Sequence, residues 1–313
     1  MNTTQGPNEF FERRVTYPDI GPRERLARLV GLDDQKARLT KILALLVNPA
    51  GLEAWAQKHH PKMNGLLSTV QRRPPLVVLA GDVGSGKTEL AETIGDAVAR
   101  QEDIDLTLLP LSLSTRGQGR VGEMTQLLTA AFDYAISEAS KLKGRSGKAR
   151  GGVILLVDEA DALVQSRENA QMHHEDRAGV NAFIRGIDRI ANASLPAAVI
   201  MCTNRLGALD PAVKRRAADI LLFGRPDEAQ RRALLSGALG ELGFGQADIE
   251  RMVMATGASK DRPYGYTFSD LTQRLLPGII LDAYPGSAVK PARALEVVAA
   301  MQATRPFEEG RNG

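Results

Sequence analysis

The sequence predicts an α/β fold, with helices packed against a five-stranded parallel sheet, followed by a small all-helical domain. Three observations carry this. Short apolar runs without alternation, LVVLA at 76–80, LTLLPL at 106–111, VILLV at 153–157, AAVIM at 197–201 and ILLF at 220–223, read as strands buried on both faces. Helical spacing fills the intervals between most of them, near 87–100, 122–142 and 177–192. After Gly224 no strand-like run recurs, and 227–240, 246–255, 268–283 and 291–302 all carry helical periodicity.

Taken in order, residues 1–28 are polar and interrupted by Pro7, Pro18 and Pro22, so they read as an N-terminal arm. DDQKARLTKILALLV, from Asp33, places apolar residues at three-to-four spacing behind a capping acid. Residues 51–73 read as irregular, and Pro74-Pro75 precede the first strand. The α/β domain is assigned to 29–225, the helical domain to 226–305 and a tail to 306–313.

Composition is that of an ordinary globular chain: 313 residues, 43% hydrophobic and 25% charged. A net charge of +3 is a weak pointer to polyanions. No apolar run reaches membrane-spanning length, and Cys202 is the only cysteine, which excludes an internal disulfide and fits a cytoplasmic setting.

GDVGSGKT at 81–88 lies directly after a predicted strand and opens a predicted helix. That context is what a phosphate-cradling G-x-x-x-x-G-K-[ST] loop requires. Gly81, Gly84 and Gly86 let the backbone turn its N–H groups toward phosphate, Lys87 reaches the terminal phosphates, and Thr88 ligates Mg2+. Ser85 and Glu89, within and just after the motif, are grouped with it as nucleotide-binding. VILLVDEAD delivers Asp158 at a strand end to hold Mg2+, with Glu159 placed to polarise a water for attack on ATP. A further strand ends at Thr203 and Asn204, whose amide is suited to orient that water. The histidines lack the spaced partners of a metal site, and Trp55 reads as a packing residue.

These motifs, in this order and with helices after the sheet, resemble the AAA+ ATPases over residues 28–305. The resemblance implies a lid-forming helical domain, a homo-oligomeric, hexameric ring and hydrolysis at subunit boundaries. LDPAVKRRAADI (209–220) is similar to the family's L-D-P-A-x-x-R stretch, with Arg215 in the arginine-finger position and Arg216 as second choice. Ala218 stands where many relatives carry another arginine. Arg274, in YTFSDLTQRLL, is the nearest candidate for a lid arginine on the nucleotide and reads as a surface helix residue.

Within that family, VDEADALVQSR, DRAGVNAFIRGIDRI (176–190) and RVGEMTQLLTAAF (120–132) are similar to the pachytene-checkpoint ATPases that remodel HORMA-domain proteins, and to their bacterial counterparts in antiphage operons. SLSTRGQGRVG (112–122) then falls in the pore-loop position, presenting Arg116, Gly117, Gln118, Gly119 and Arg120 without an aromatic. Such a loop grips through hydrogen bonds and charge. The alternative is a DNA-associated AAA+ ATPase of helicase-loader or transposition-helper type, in which those arginines contact phosphates; lack of stacking aromatics and of a DNA-binding motif weighs against it.

Overall fold

The computed structural model describes residues 11–113, 122–144, 149–164, 174–205, 207 and 209–306. Its elements run β1 (Val15–Tyr17), α1 (Ile20–Arg28), α2 (Asp33–Val47), α3 (Pro49–His59), α4 (Gly65–Gln71), β2 (Leu76–Gly81), α5 (Lys87–Glu102), β3 (Asp105–Ser112) and α6 (Glu123–Leu142). They continue with β4 (Gly151–Asp158), α7 (Asp161–Val164), α8 (His174–Ala193), β5 (Ala197–Thr203), α9 (Pro211–Lys214) and β6 (Ala217–Phe223). The C-terminal elements are α10 (Glu228–Gly240), α11 (Gln246–Thr256), a π-helical turn (Asp270–Leu275), α12 (Leu276–Ala283) and α13 (Pro291–Ala300).

Two compact units emerge. One is drawn from residues up to Ala27, Asp34–Ala80 and Thr88–Leu222; the other from Arg28–Asp33, Gly81–Lys87 and Phe223 onward. The first holds the sheet, in the order β1-β3-β4-β5-β2-β6. β3, β4, β5 and β2 run parallel, and the register pairs Ser112 with Asp158 and Ala80 with Thr203. The C-terminal ends of these strands therefore line up along one edge, where α/β proteins place their ligands. Leu76, Val78, Ala80, Val153, Leu155 and Val157 point into a core shared with α6 and α8, where Phe132 meets Phe183 edge-on with centroids 5.8 Å apart. On the opposite face Val47 of α2 closes on Gly152, which leaves no room for a side chain: a Cβ there would stand 2.9 Å from Val47.

Two expectations are corrected. The sheet has six strands, because residues 15–17 of the expected arm form an antiparallel edge strand, Val15 opposite Leu108 and Tyr17 opposite Leu106. Residues 20–28 of that arm are α1. Prolines do not prevent this: Pro18 follows the strand, and Pro22 sits in the first turn of α1, where no backbone donor is required. Tyr17 is 2% exposed; its hydroxyl donates to the Glu92 carbonyl, and Asp19 N donates to Asp96 Oδ1 at 2.8 Å. Burial, and next the Glu92 carboxylate, push the Tyr17 phenol well above its ordinary range. Residues 51–73 are likewise not irregular but carry α3 and α4, which bury only Ala56 between them and so show little apolar periodicity. Trp55, half exposed, packs its ring against those of His59 and His60, with centroids 5.9 and 5.0 Å apart.

In the second unit, α10 opens with a reciprocal cap in which Asp227 and Gln230 each accept from the other's backbone N–H. Asp270 is buried within it. Burial alone would raise its pKa, but donation from Thr267 N and from Thr304 N and Oγ1 outweighs burial and holds the carboxyl below its usual range. Among the described residues no helix is long and apolar enough to cross a membrane.

Candidate nucleotide site

The glycine loop belongs to the second unit. Gly81, Gly84 and Gly86 adopt φ of 153°, 68° and 91°, angles that side-chain-bearing residues rarely tolerate. Close approach adds to this at Gly81, where a Cβ would lie 1.8 Å from the Phe223 carbonyl oxygen, and Asp82 N donates to that same oxygen at 3.1 Å. Ser85 is buried and its hydroxyl donates to the Asp82 carbonyl at 2.7 Å. Lys87 is buried too; its ammonium donates to the carbonyls of Gly81 (3.0 Å) and Asp82 (2.7 Å) and to Ser85 Oγ (3.3 Å). The cation thus rests against the loop that would present it to phosphate. Ser269 N donates to Gly84 O at 3.0 Å, tying the loop to the segment before the π-helical turn.

In the first unit, Thr88 Oγ1 donates to Asp158 Oδ1 at 3.2 Å, and Glu159 N donates to the same oxygen at 2.9 Å. Burial, opposed by these two hydrogen bonds and assisted by the nearby Glu159 charge, raises the Asp158 pKa. A carboxylate made uncomfortable by desolvation next to a hydroxyl is a donor set that a divalent cation relieves.

Glu159 sits at φ 51°, a left-handed conformation that costs a non-glycine residue about 1 kcal/mol or more and collects at functional sites. It is held there by Glu159 N on Asp158, by Ala160 N on the Cys202 carbonyl (2.9 Å), and by Ser112 Oγ donating to Glu159 Oε2 at 3.1 Å. Ser112 is a site residue that the sequence reading missed. Its role follows from register, since it stands beside Asp158 across the β3–β4 ladder.

Asp161 was also missed, although it lies in the same acidic run. Its carboxylate accepts from Thr203 Oγ1 (2.7 Å), Asn204 N (2.8 Å) and Asn204 Nδ2 (3.1 Å). An ionised carboxylate only accepts, so the Asn204 amide turns its nitrogen to Asp161 and its carbonyl oxygen away. The structure therefore brings Thr88, Asp158, Glu159, Thr203 and Asn204 to one strand edge.

The remaining candidates separate clearly. Arg216 is locked by a two-pronged pair with Asp188 (Nε–Oδ1 2.7 Å, Nη2–Oδ2 2.9 Å) and by donation to Ala212 O, whereas Arg215, the residue after α9, is exposed. Arg216 as an alternative finger is therefore disfavoured: its guanidinium already has a carboxylate. Glu89, grouped with the nucleotide loop, is instead engaged by Arg25, with Nε–Oε1 at 2.7 Å and Nη2–Oε2 at 3.0 Å. Arg274 pairs with Asp270 at 2.8 Å from a half-exposed position. Arg116, Gly117, Gln118, Gly119 and Arg120 lie outside the described residues.

A glycine loop with a buried lysine, and a strand edge bearing a hydroxyl–carboxylate pair, a strained glutamate and an oriented amide, are parts of a nucleoside-triphosphate hydrolase. The chain belongs to the AAA ATPases: the family described as "ATPase family associated with various cellular activities (AAA)" matches residues 77–225. More narrowly, it is 67% identical over 307 residues to CD-NTase-associated protein 6 of Escherichia coli strain MS 115-1, covering 98% of this chain and 99% of that protein. It is similar to a chain of the solved E. coli MS115-1 HORMA:CdnC:Trip13 complex, with a TM-score of 0.89 and 65% identity over 97% of this chain and 99% of that one. It is also similar to the solved Rhizobiales Trip13, with a TM-score of 0.74 and 57% identity over 95% and 100% of the two chains.

Proposed function

We propose that this ATPase hydrolyses ATP with Mg2+ at sites shared between the subunits of a hexameric ring, and uses the cycle to remodel a HORMA-domain protein in a bacterial antiphage system. The observation that carries the partner is the near-complete similarity to a chain from a complex that contains a HORMA protein. The chemistry is supported by the strand edge.

Lys87 would leave its loop carbonyls for the terminal phosphates, while Thr88 and Asp158 hold Mg2+. An ion held there would supply positive charge to the phosphate oxygens while ADP departs. Glu159, held by Ser112, polarises the attacking water, and Asn204, held by Asp161, offers it a carbonyl oxygen. Arg215 then acts on the neighbouring subunit's nucleotide, a contribution that can reach several orders of magnitude in rate. The exposed Arg215 beside a locked Arg216 supports this assignment. The substrate-gripping loop is assigned to Arg116–Arg120, and the reducing cytoplasm is the compartment that suits a chain with one buried cysteine.

The test is capture with the Glu159→Gln variant in ATP and Mg2+, offering a purified HORMA-domain protein and single-stranded DNA in competition. ATP-dependent retention of the HORMA protein is expected. Retention of DNA alone would transfer the chain to the helicase-loader class.

A further inference from the structure

The phosphate loop contains an acid. Asp82, the second residue of GDVGSGKT, places a carboxylate in a loop whose purpose is to attract a polyanion. Uncompensated, it would repel phosphate. It would also compete for Lys87, whose ammonium already lies 2.7 Å from the Asp82 carbonyl.

The structure resolves this conflict with one residue. Arg225, just beyond β6, donates from Nε to Asp82 Oδ2 at 2.6 Å, and both side chains are largely buried, at 13% and 18% exposure. The other carboxylate oxygen, Oδ1, accepts from Val83 N at 2.8 Å. Arg225 is itself fixed twice over. Nη1 donates to Gly265 O at 2.6 Å, and the guanidinium lies over the Tyr264 ring, 4.9 Å from its centroid. A planar fork that pairs, donates and stacks at once is chemistry that arginine provides and lysine does not.

Resting on the reading of this loop as the ATP site, we propose that Arg225 is a positioning residue for nucleotide binding. It neutralises Asp82 and keeps that carboxylate off Lys87, so that the loop presents net positive charge to phosphate. Asp82 in turn anchors the loop to the 264–265 turn through Arg225.

The experiment measures ATP, ADP and adenosine affinity by titration for the full chain and for Arg225→Met, Arg225→Lys, Asp82→Asn and the Asp82→Asn/Arg225→Met pair. Exposing a like charge in a partly buried site weakens anion binding by about ten- to a hundredfold. Arg225→Met is therefore expected to lose about a hundredfold for ATP, about tenfold for ADP and under about twofold for adenosine. Arg225→Lys recovers part of the ATP loss, and the double variant recovers most of it, because no carboxylate remains to be neutralised. Equal losses for all three ligands, or a double variant as weak as Arg225→Met, would overturn the proposal in favour of simple scaffolding. Thermal melting without nucleotide identifies any variant that does not fold, and in that case the milder Arg225→Lys and Asp82→Asn comparison decides by the same dependence on phosphate number. If the unaltered chain binds no ATP, it is the reading of the loop as an ATP site that fails.

Discussion

Asp161 supports a quantitative prediction because its three hydrogen bonds divide into two kinds. Those from Thr203 Oγ1 and Asn204 N secure the end of β5; the one from Asn204 Nδ2 sets the rotation of the amide. Asp161→Ala removes all three and leaves Thr203, 1% exposed, without its acceptor. Unsatisfied donors of this kind cost about 1–3 kcal/mol each, so a stability loss of about 2–4 kcal/mol is expected. Asp161→Asn separates the two roles. Its carbonyl oxygen still accepts from Thr203 and Asn204 N, but its NH2 group now faces the Asn204 NH2 group, and one of them must turn away. A hydrogen bond to a charged acceptor holds about 1.5–3 kcal/mol of orientation, and each 1.36 kcal/mol is tenfold in rate. Asp161→Asn should therefore melt close to the unaltered chain, bind ATP with unchanged affinity, and lose about ten- to a hundredfold in kcat. Steady-state phosphate release, with affinity measured separately, checks this. Full turnover by a folded Asp161→Asn, alongside a slow Asn204→Ala, would show that the amide acts without being held.

Three further outcomes are expected. Lys87→Ala and Arg215→Ala should each be inactive alone, yet regain a measurable fraction of ATPase activity when mixed, since an Arg215→Ala site can receive its arginine from a Lys87→Ala neighbour; no recovery in mixed assemblies would remove the shared site. Gly81→Ala should abolish nucleotide binding and lower the melting temperature, given a Cβ at 1.8 Å from Phe223 O, while Gly237→Ala, in open space on α10, should stabilise by about 0.5–1 kcal/mol. Asp270, whose pKa is depressed in the fold, adds stability that is complete above its unfolded value of ~3.9 and is lost as pH falls through the lower folded value. Asp270→Asn should thus cost about 1–3 kcal/mol at neutral pH and flatten this part of the acid limb in pH-resolved melting curves.

The sequence disclosed what is local and left hidden what depends on register. GDVGSGKT was legible because each glycine answers a backbone angle set within the loop itself. β2 to β5 were legible from continuous apolar runs, and Asp158 and Glu159 because one such run ends on them; β6, at the end of the sheet, is a strand as expected but is not buried on both faces, with Leu222 57% exposed. Ser112 was invisible as a partner of Glu159, 47 residues away, until β3 and β4 were aligned. Asp82 and Arg225, 143 residues apart, gave no linear signal beyond an odd acid in a phosphate loop. β1 was missed because three residues ahead of a proline are too few to show a period; what holds them is the burial of Tyr17 against Gly95, where a Cβ would lie 2.3 Å from the ring.

The charged and polar groups of the glycine loop, and those of the strand edge, rest on protein partners. Lys87 rests on carbonyls, Glu159 accepts from Ser112, Asn204 is turned to Asp161 and Asp158 accepts from Thr88. These arrangements differ in what ATP must undo. The Lys87 hydrogen bonds to the Gly81 and Asp82 carbonyls and to Ser85 Oγ are with neutral acceptors; on the proposed reading they would be exchanged for stronger ones to phosphate and would oppose binding only weakly. The Asn204–Asp161 contact need not break, because it engages only the amide nitrogen of Asn204. On the proposed function, binding and hydrolysis fall to different residues. Variants at Lys87 or Arg225 should change affinity first, while variants at Ser112 or Asp161 should change turnover first. A Ser112→Ala variant that weakened ATP binding without slowing turnover would contradict this division at its clearest point.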